Sequence, residues 1–302
     1  MNETRKGFVL AVGAAILWGI SGTFGQFLFE QRDVEAGWLV TVRMLLSGTL
    51  LLSLGAARKD ASLMKVWEDR KDITSLLIFS IFGMLAVQYT YFTAIRHSNA
   101  ATATVLQYAG PVLIAAYMAV RKRRWPSLLE YLAIAFAIGG TCLLVTHGNP
   151  DTLSVTPAAI YWGLLSAVTL AFYSLQPARL LKKFPASTIV GWALLLGGIV
   201  LSFVHTPWQV SGTWDVYALL ALLFIVVLGT LVPFYAYLTA VRLIGAEKSS
   251  LLASAEPLSA ALFSIWWLKT PFSAVDWLGS FLILSTLFLL AAPSWLAARR
   301  AA

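Results

Sequence analysis

Two ionisable residues lie deep in apolar sequence, and they set the chemistry open to this chain. Glu256 falls about nine residues into the apolar stretch 248–268, and Arg43 about eight into 36–56. A charge at a bilayer centre costs at least roughly 2.5–3.5 kcal/mol on insertion scales, so one that persists has a partner or a use. Glu256 precedes Pro257, whose missing N–H leaves the carbonyl of Ala253 without its helical donor. A carboxylate and a free carbonyl on adjacent turns suit a cation, an ammonium group or a carried proton. The competing use is an ion pair with Arg43 that locks the helices together. Arg43 itself is suited to pairing with Glu256, to capping free carbonyls, or to meeting a substrate carboxylate. Both charges at one cavity would suit a zwitterion such as an amino acid. Glu130, near the start of the stretch 126–146, reads as a helix-start acid that reaches the headgroups.

Around these charges the chain places aromatic and amide groups. Trp18, Tyr89, Tyr91, Tyr108, Tyr173, Tyr235 and Tyr237 lie away from the ends of the apolar stretches. A Tyr or Trp facing lipid leaves its O–H or N–H unpaired, so the deep ones face inward. Their ring faces attract a cationic group, or they pack helices with the polar tip on a neighbour's backbone. Trp18, Tyr89, Tyr108, Tyr173, Tyr235 and Gln88 join Glu256 and Arg43 as candidate substrate contacts. Gln26, Gln107 and Gln176 are further hydrogen-bonding candidates. Pro111, Pro177, Pro233 and Pro257 free the carbonyls of Gln107, Tyr173, Gly229 and Ala253; such kinks persist in lipid where the freed groups are satisfied or line a cavity. Pro111 and Pro257 are the candidate hinge. No cofactor or metal is expected, because Cys142 is the single cysteine and His97, His147 and His205 lie far apart.

The elements that position these groups follow from composition. Hydrophobic residues make up 59% of the 302 and charged residues 12%, against roughly 25% charged in soluble domains. That excludes a soluble globule, a disordered chain and a disulfide scaffold, and predicts an all-α polytopic membrane protein. A bilayer core takes about 20 apolar residues per helix. Ten stretches qualify, at about 7–29, 36–56, 73–95, 100–120, 126–146, 157–180, 187–207, 215–243, 248–268 and 275–293. The longest connection, 57–72, carries charge and Trp67 and reads as a surface helix. Arg5 and Lys6 ahead of an apolar run resemble a signal sequence, but the run is too long for a cleaved one and reads as the first span.

Lysine and arginine are retained on the cytoplasmic side. With a cytoplasmic N-terminus, the inside segments hold Arg5, Lys6, Arg58, Lys59, Lys65, Arg70, Lys71, Arg121, Lys122, Arg123, Arg124, Arg179, Lys182, Lys183, Arg242, Lys248, Arg299 and Arg300. Only Arg32, Arg96 and Lys269 fall outside, so both termini are expected in the cytoplasm, with the protein in the cytoplasmic membrane. Topology accounts for the net charge of +8, and no nucleic-acid partner is needed. Trp38, Trp125, Trp208, Trp214, Trp266, Trp267, Trp277 and Trp295 form the expected interfacial belt.

Residues 83–116 align without gaps to 229–262. Identities include Gly83/Gly229, Tyr89/Tyr235, Tyr91/Tyr237, Thr93/Thr239, Ala94/Ala240, Arg96/Arg242 and Pro111/Pro257. The register makes the unit five helices, 1–150 and 151–302. Five is odd, so the second copy sits upside down. Inverted halves that exchange two packings move an opening from one face to the other, the basis of alternating access.

This arrangement resembles the EamA-type members of the drug/metabolite transporter superfamily. Trp18-Gly19, Arg43, the Pro111 segment, Glu256-Pro257 and the glycines Gly139, Gly140 and Gly279 of the closing helices carry the resemblance, which covers essentially the whole chain. It implies a secondary transporter, often an exporter, of small organic metabolites. The family often has a Gly-Glu pair after spans 4 and 9; here Arg121-Lys122 and Lys269-Thr270 stand in those regions, so that acid has no role. The expected partners are a small-molecule substrate and the lipid bilayer, with protons as the candidate coupling ion. Aromatics with one acid favour an amino acid, amine or organic cation. The rivals are a channel or scaffold with no substrate cycle, and an enzyme, for which the residues supply no constellation of nucleophile, base or metal.

Overall fold

A computed structural model describes residues 3–121, 123, 125, 127–146, 155–244, 249, 252–253 and 255–301. Lys122, Arg124 and Lys248 lie outside these, as do the side chains of Pro111, Arg121, Glu130, Arg242, Trp295, Arg299 and Arg300. Among the described residues the fold is helical throughout, with no strand. The helices are α1 (Glu3–Gln31), α2 (Ala36–Ala57), α3 (Ser62–Lys65), α4 (Arg70–Ile78), α5 (Ala86–His97), α6 (Ala100–Gln107), α7 (Gly110–Arg121) and α8 (Leu128–Thr146). They continue with α9 (Pro157–Leu175), α10 (Ala178–Lys183), α11 (Ala186–Ser202), α12 (Val216–Val226), α13 (Val232–Ile244), α14 (Ala255–Leu268) and α15 (Ala274–Ala301). Five continuous segments, Glu3–Gln31, Ala36–Ala57, Arg70–His97, Pro157–Lys183 and Val216–Tyr237, are long and apolar enough to cross a membrane. The other expected stretches hold α6 with α7, α8, α11, α14 and α15.

Local chemistry sets where helices begin. Asn99, Thr156 and Asp215 each accept from the backbone N–H three residues on, at 2.8, 3.2 and 2.8 Å, and Asp69 accepts from Lys71 N at 2.7 Å. These side chains satisfy amides that a helix start leaves orphaned. Along the helices Leu219, Leu223, Leu262, Phe281 and many other large apolar side chains stand exposed, the surface expected where the solvent is lipid.

Two turns of π-helix interrupt the long helices, Phe79–Leu85 between α4 and α5 and Val227–Leu231 between α12 and α13. A shift of 146 positions, from Gly83 to Gly229, carries the first onto 225–231, so both copies widen at the same place. Packing repeats as well. α1 lies against α13 and α14, and α9 lies correspondingly against α5, α6 and α7. α2 pairs with α11 and α8 with α15. A Cβ on Gly140 would stand 2.6 Å from the carbonyl oxygen of Gly279, so the closing helices meet backbone to backbone at the glycines noted in the sequence.

The 57–72 segment is mostly turn around α3, not a longer surface helix. Ser62 Oγ meets Thr188 Oγ1 at 2.7 Å, and the Trp192 indole donates to the Leu63 carbonyl at 2.9 Å, with Trp67 packed edge-on against Trp192. Trp38 departs from the expected belt. It is buried, meets Trp214 edge-on and donates to the Pro207 carbonyl at 3.0 Å, so it fastens helix ends together.

Candidate substrate site

The apolar stretch around Glu256 is not a single kinked helix. Ala253 sits in a turn and α14 starts at Ala255, which puts Glu256 and Pro257 in its first turn. The first half breaks alike: α6 ends at Gln107, Tyr108 and Ala109 form a turn, and α7 starts at Gly110, one residue before Pro111. Proline in a first turn loses no intrahelical bond, since amides there lack a partner anyway. The break leaves a helix N-terminus pointing inward, whose dipole favours negative charge beside it. Glu256 occupies that position, half-buried.

The carbonyl of Ala253, expected to be free, is partnered. It accepts from Glu256 N at 2.9 Å and from the Tyr108 hydroxyl at 2.6 Å. The same hydroxyl lies 3.1 Å from Glu256 Oε2. A phenol carries one proton, and two acceptors compete for it. The shorter contact goes to the carbonyl, and among the described residues no other side chain donates to the carboxylate.

α1 passes over this start. A Cβ at Gly19 would clash with Ser259 Oγ and stand 2.5 Å from the carbonyl oxygen of Glu256, so only glycine allows the crossing. The crossing brings in Trp18, whose ring meets Tyr237 at 5.3 Å and Phe234 at 5.2 Å between centroids. Tyr91, Tyr108 and Tyr237 lie within electrostatic range of Glu256. Tyr91 bonds Thr104 Oγ1 at 2.7 Å, and Tyr173 stacks on Phe79 at 5.5 Å, within electrostatic range of Tyr237.

Arg43 is elsewhere in the bundle's bonding. Its Nε and Nη2 donate to Thr230 Oγ1 at 3.2 and 2.7 Å, and Nη2 reaches the Gly229 carbonyl at 3.5 Å. Its guanidinium carbon lies 4.4 Å from the centre of the Phe92 ring. Gly229 is the residue whose carbonyl Pro233 deprives of its helical donor, but the short contacts of Arg43 are to the Thr230 hydroxyl. The ion pair with Glu256 is not among those of the described residues.

Other candidates are dispersed. Tyr89 lines a cleft of about 370 Å³ with Asp33, Glu35, Thr93 and Arg96, where His205 Nδ1 lies 2.9 Å from Glu35 Oε1. Tyr235, its repeat mate, is 57% exposed. Gln88 is buried, with its amide nitrogen 3.5 Å from the Met84 sulfur and Oε1 without a hydrogen-bond partner. Gln26 is a fully used structural amide. It accepts from Ala100 N at 3.0 Å and from Ser264 Oγ at 3.2 Å, and it donates to Glu30 at 2.9 Å and Thr270 at 3.0 Å. Tyr237 and Phe234 gain importance over their ranking in the sequence. Their spacing of three puts them on one helix face, a signal the aromatic pattern already held.

Two repeats of like architecture in an apolar helical bundle define a polytopic membrane protein of the repeat-built kind. The chain belongs to the EamA-like transporter family, whose model matches twice, over residues 5–146 and 157–292. It is 42% identical over the full length of both chains to a protein of Salmonella typhimurium named as an uncharacterized inner membrane transporter, YicL. It is 26% identical to the uncharacterized transporter YwfM of Bacillus subtilis, over 93% of this chain and 92% of that one. A solved structure titled only as the crystal structure of a protein superposes with a TM-score of 0.65 at 17% identity, covering 98% of this chain and 99% of the other. That likeness concerns the fold.

Proposed function

We propose that this protein is a secondary transporter of the inner membrane that moves a small amphipathic amine, amino acid or organic cation by alternating access. In this reading ten spans form two inverted halves, 1–150 and 151–302, with both termini cytoplasmic. Export is the direction the family resemblance implies. The substrate's cationic group meets Glu256 and the rings of Trp18, Tyr108 and Tyr237, with Tyr173 at the edge. Arg43 and Gln88 serve the packing of α2 and α5. Tyr89 belongs to the cleft on the opposite face, and Pro111 and Pro257 mark where the halves flex.

The observation that carries the reading is the shared proton of Tyr108. With that hydroxyl committed to the Ala253 carbonyl, the Glu256 carboxylate has room for an ammonium group or for its own proton. A proton and a cationic substrate then compete for one carboxylate, which is the minimal chemistry of exchange. Ring faces beside it add a further attraction for a desolvated cation.

The test is a ligand screen by thermal shift on purified protein, using amino acids, amines, quaternary ammonium compounds, nucleosides and sugar phosphates, with Glu256→Gln alongside. Ligand that binds only folded protein raises its stability by RT ln(1 + [L]/Kd). A shift with cationic or zwitterionic compounds that disappears in the variant supports the proposal. A shift equal in both proteins, or given by anions alone, overturns it. Proton competition has its own test: transport by wild type and Glu256→Gln that varies identically between about pH 5 and 8 defeats it.

A further inference from the structure

On the face that carries the 57–72 segment, a cleft of about 420 Å³ opens between α4 and the corner where α9 meets α10. The corner exists because Pro177 interrupts the helix between Leu175 and Ala178. Gln176, just before it, donates to the Ser75 carbonyl at 2.9 Å and to Ser75 Oγ at 3.2 Å, which joins the two walls.

The charge census of this cleft is uneven. Buried Asp72 is served twice, by Arg179 and by Lys183 at 2.9 Å. Lys183 also lies 3.8 Å from Asp69, and Asp69 Oδ1 is occupied as the cap of α4. Glu68 is the remaining acid of the neighbouring turn. Arg70 and Lys71 are exposed, line the cleft and take part in no ion pair among the described residues. Arg179, although bonded to Asp72, keeps about half its side chain open. The cleft therefore presents surplus positive charge.

Its lining also changes character along the helix axis. Arg70, Thr74, Ile78 and Phe82 follow at intervals of four, so they descend close to one face of α4 and the π-turn below it. Arg70 to Ile78 covers about 12 Å at 1.5 Å per residue. Leu77, Ile78 and Phe82 are 41%, 39% and 61% exposed, so the charged mouth runs into an uncovered apolar strip. Cation, hydroxyl, aliphatic group and aromatic ring in that order match a phospholipid's phosphate, glycerol and acyl chain. A free phosphate would leave the strip unused.

We infer that this cleft is a binding site for an anionic phospholipid. The site depends on the chain spanning a membrane and is independent of what it transports. Juxtamembrane Lys and Arg each contribute to anionic-lipid attraction, so loss of two is expected to weaken binding by about tenfold or more.

Full-length protein is purified in mild detergent and its bound lipid read by native mass spectrometry. The probes are dioleoyl-phosphatidylglycerol, dioleoyl-phosphatidylcholine, glycerol phosphate and inorganic phosphate. Wild type retains phosphatidylglycerol over phosphatidylcholine, and Arg70→Gln with Lys71→Gln loses that preference. Arg58→Gln with Lys59→Gln removes equal charge from the same face outside the cleft and keeps it. If the double variant fails to fold, Thr74→Trp fills the cleft without touching charge and is expected to lose the same lipid. Equal retention by every variant overturns the site. Displacement of the lipid by glycerol phosphate or inorganic phosphate at equal concentration also overturns it, in favour of a soluble-anion site.

Discussion

The two breaks at Gly110-Pro111 and Glu256-Pro257 are the same backbone device carrying different chemistry. In each, a turn, at Tyr108-Ala109 or at Ala253, precedes a helix that carries proline in its first turn. The repeat register pairs Gly110 with Glu256. A Cβ at Gly110 would stand 3.1 Å from both the Ala167 carbonyl oxygen and a Leu170 methyl, so α9 closes over the position where the second half keeps a carboxylate. At Gly19, α1 makes the equivalent crossing over α14. There the glycine is on the overlying helix and packs against the Glu256 carbonyl and Ser259, while the acid is on the helix start itself. Duplication explains the scaffold; the two halves differ in which partner of the crossing is small and in which carries the carboxylate.

The largest effect expected from breaking this difference is functional. Glu256→Gln keeps shape and removes charge, and uptake of a cationic substrate into proteoliposomes should fall by about 30-fold or more, the size expected when one member of a buried charged contact is removed. Gly110→Glu, the converse change, should give no second site and should lower the unfolding temperature, because its Cβ meets backbone. A Gly110→Glu protein that binds substrate with doubled stoichiometry would show the halves to be interchangeable.

Next in size is the bracing of the two π-turns. In the second half, Ser47 Oγ donates to the Val226 carbonyl at 3.0 Å, and Arg43 holds Thr230 and Gly229. In the first half, the matching Ser80 carbonyl faces Gly197, where a Cβ would stand 3.1 Å away. One turn is braced by polar donors, the other by close packing. Arg43→Ala should destabilise by about 2–4 kcal/mol, since it leaves the Gly229 carbonyl orphaned and a void against Phe92. Arg43→Met, which refills the volume, should recover part of that. Gly197→Ala should cost about 1–3 kcal/mol, because its Cβ meets the flexible end of Met44 and also the Leu85 Cβ and the Ser80 carbonyl, both at 3.1 Å. Thermal unfolding in detergent measures all three, and an Arg43→Ala protein as stable as wild type would put the clamp in doubt.

How much of this was legible in the sequence depends on which force decides. Helix positions were, because lipid admits only segments that satisfy their own backbone, and the apolar runs record that demand. The proline breaks were legible as interruptions, but as kinks in continuous helices; that Pro257 belongs to a first turn follows from the turn at Ala253, which residue types do not encode. The repeat located both π-turns without revealing them, since Phe79–Leu85 and Val227–Leu231 are composed like their neighbours. Glu256 and Arg43 stood out by charge alone. That they are held apart depends on Thr230 and Tyr108, which approach from helices distant in sequence. Tyr235 and Tyr237 are two residues apart, and helix rotation sends one outward and the other against Trp18; alternation of tyrosines cannot say which.

A smaller test asks whether Tyr108 serves fold or ligand. Tyr108→Phe removes the donor to the Ala253 carbonyl, and the net loss of one hydrogen bond is about 1 kcal/mol. If the hydroxyl also competes for the Glu256 carboxylate, its removal frees that group, and cationic ligands should bind at least as tightly per folded molecule. Lower stability with retained affinity separates the two roles. Loss of affinity equal to that of Glu256→Gln would instead make Tyr108 a direct ligand contact.

The smallest expected effect comes from the paired helix caps. Asp69 and Asp215 are repeat mates, and each accepts a backbone N–H at the start of α4 or α12. Asp215 also joins two helices, because Arg32 donates to its two oxygens at 3.2 and 2.8 Å and so ties the end of α1 to the start of α12. Among the described residues Asp69 has as ion-pair partner the distant Lys183. Asp215→Ala should therefore lower the unfolding temperature more than Asp69→Ala. The Arg32 pair is partly open to solvent, so raising salt to about 1 M should shrink that gap. The part due to capping is a short hydrogen bond to a fixed backbone amide and should survive the salt. A gap unchanged by salt would assign the whole difference to the cap, and the two halves would then differ in how firmly they start their helices and in nothing that joins them.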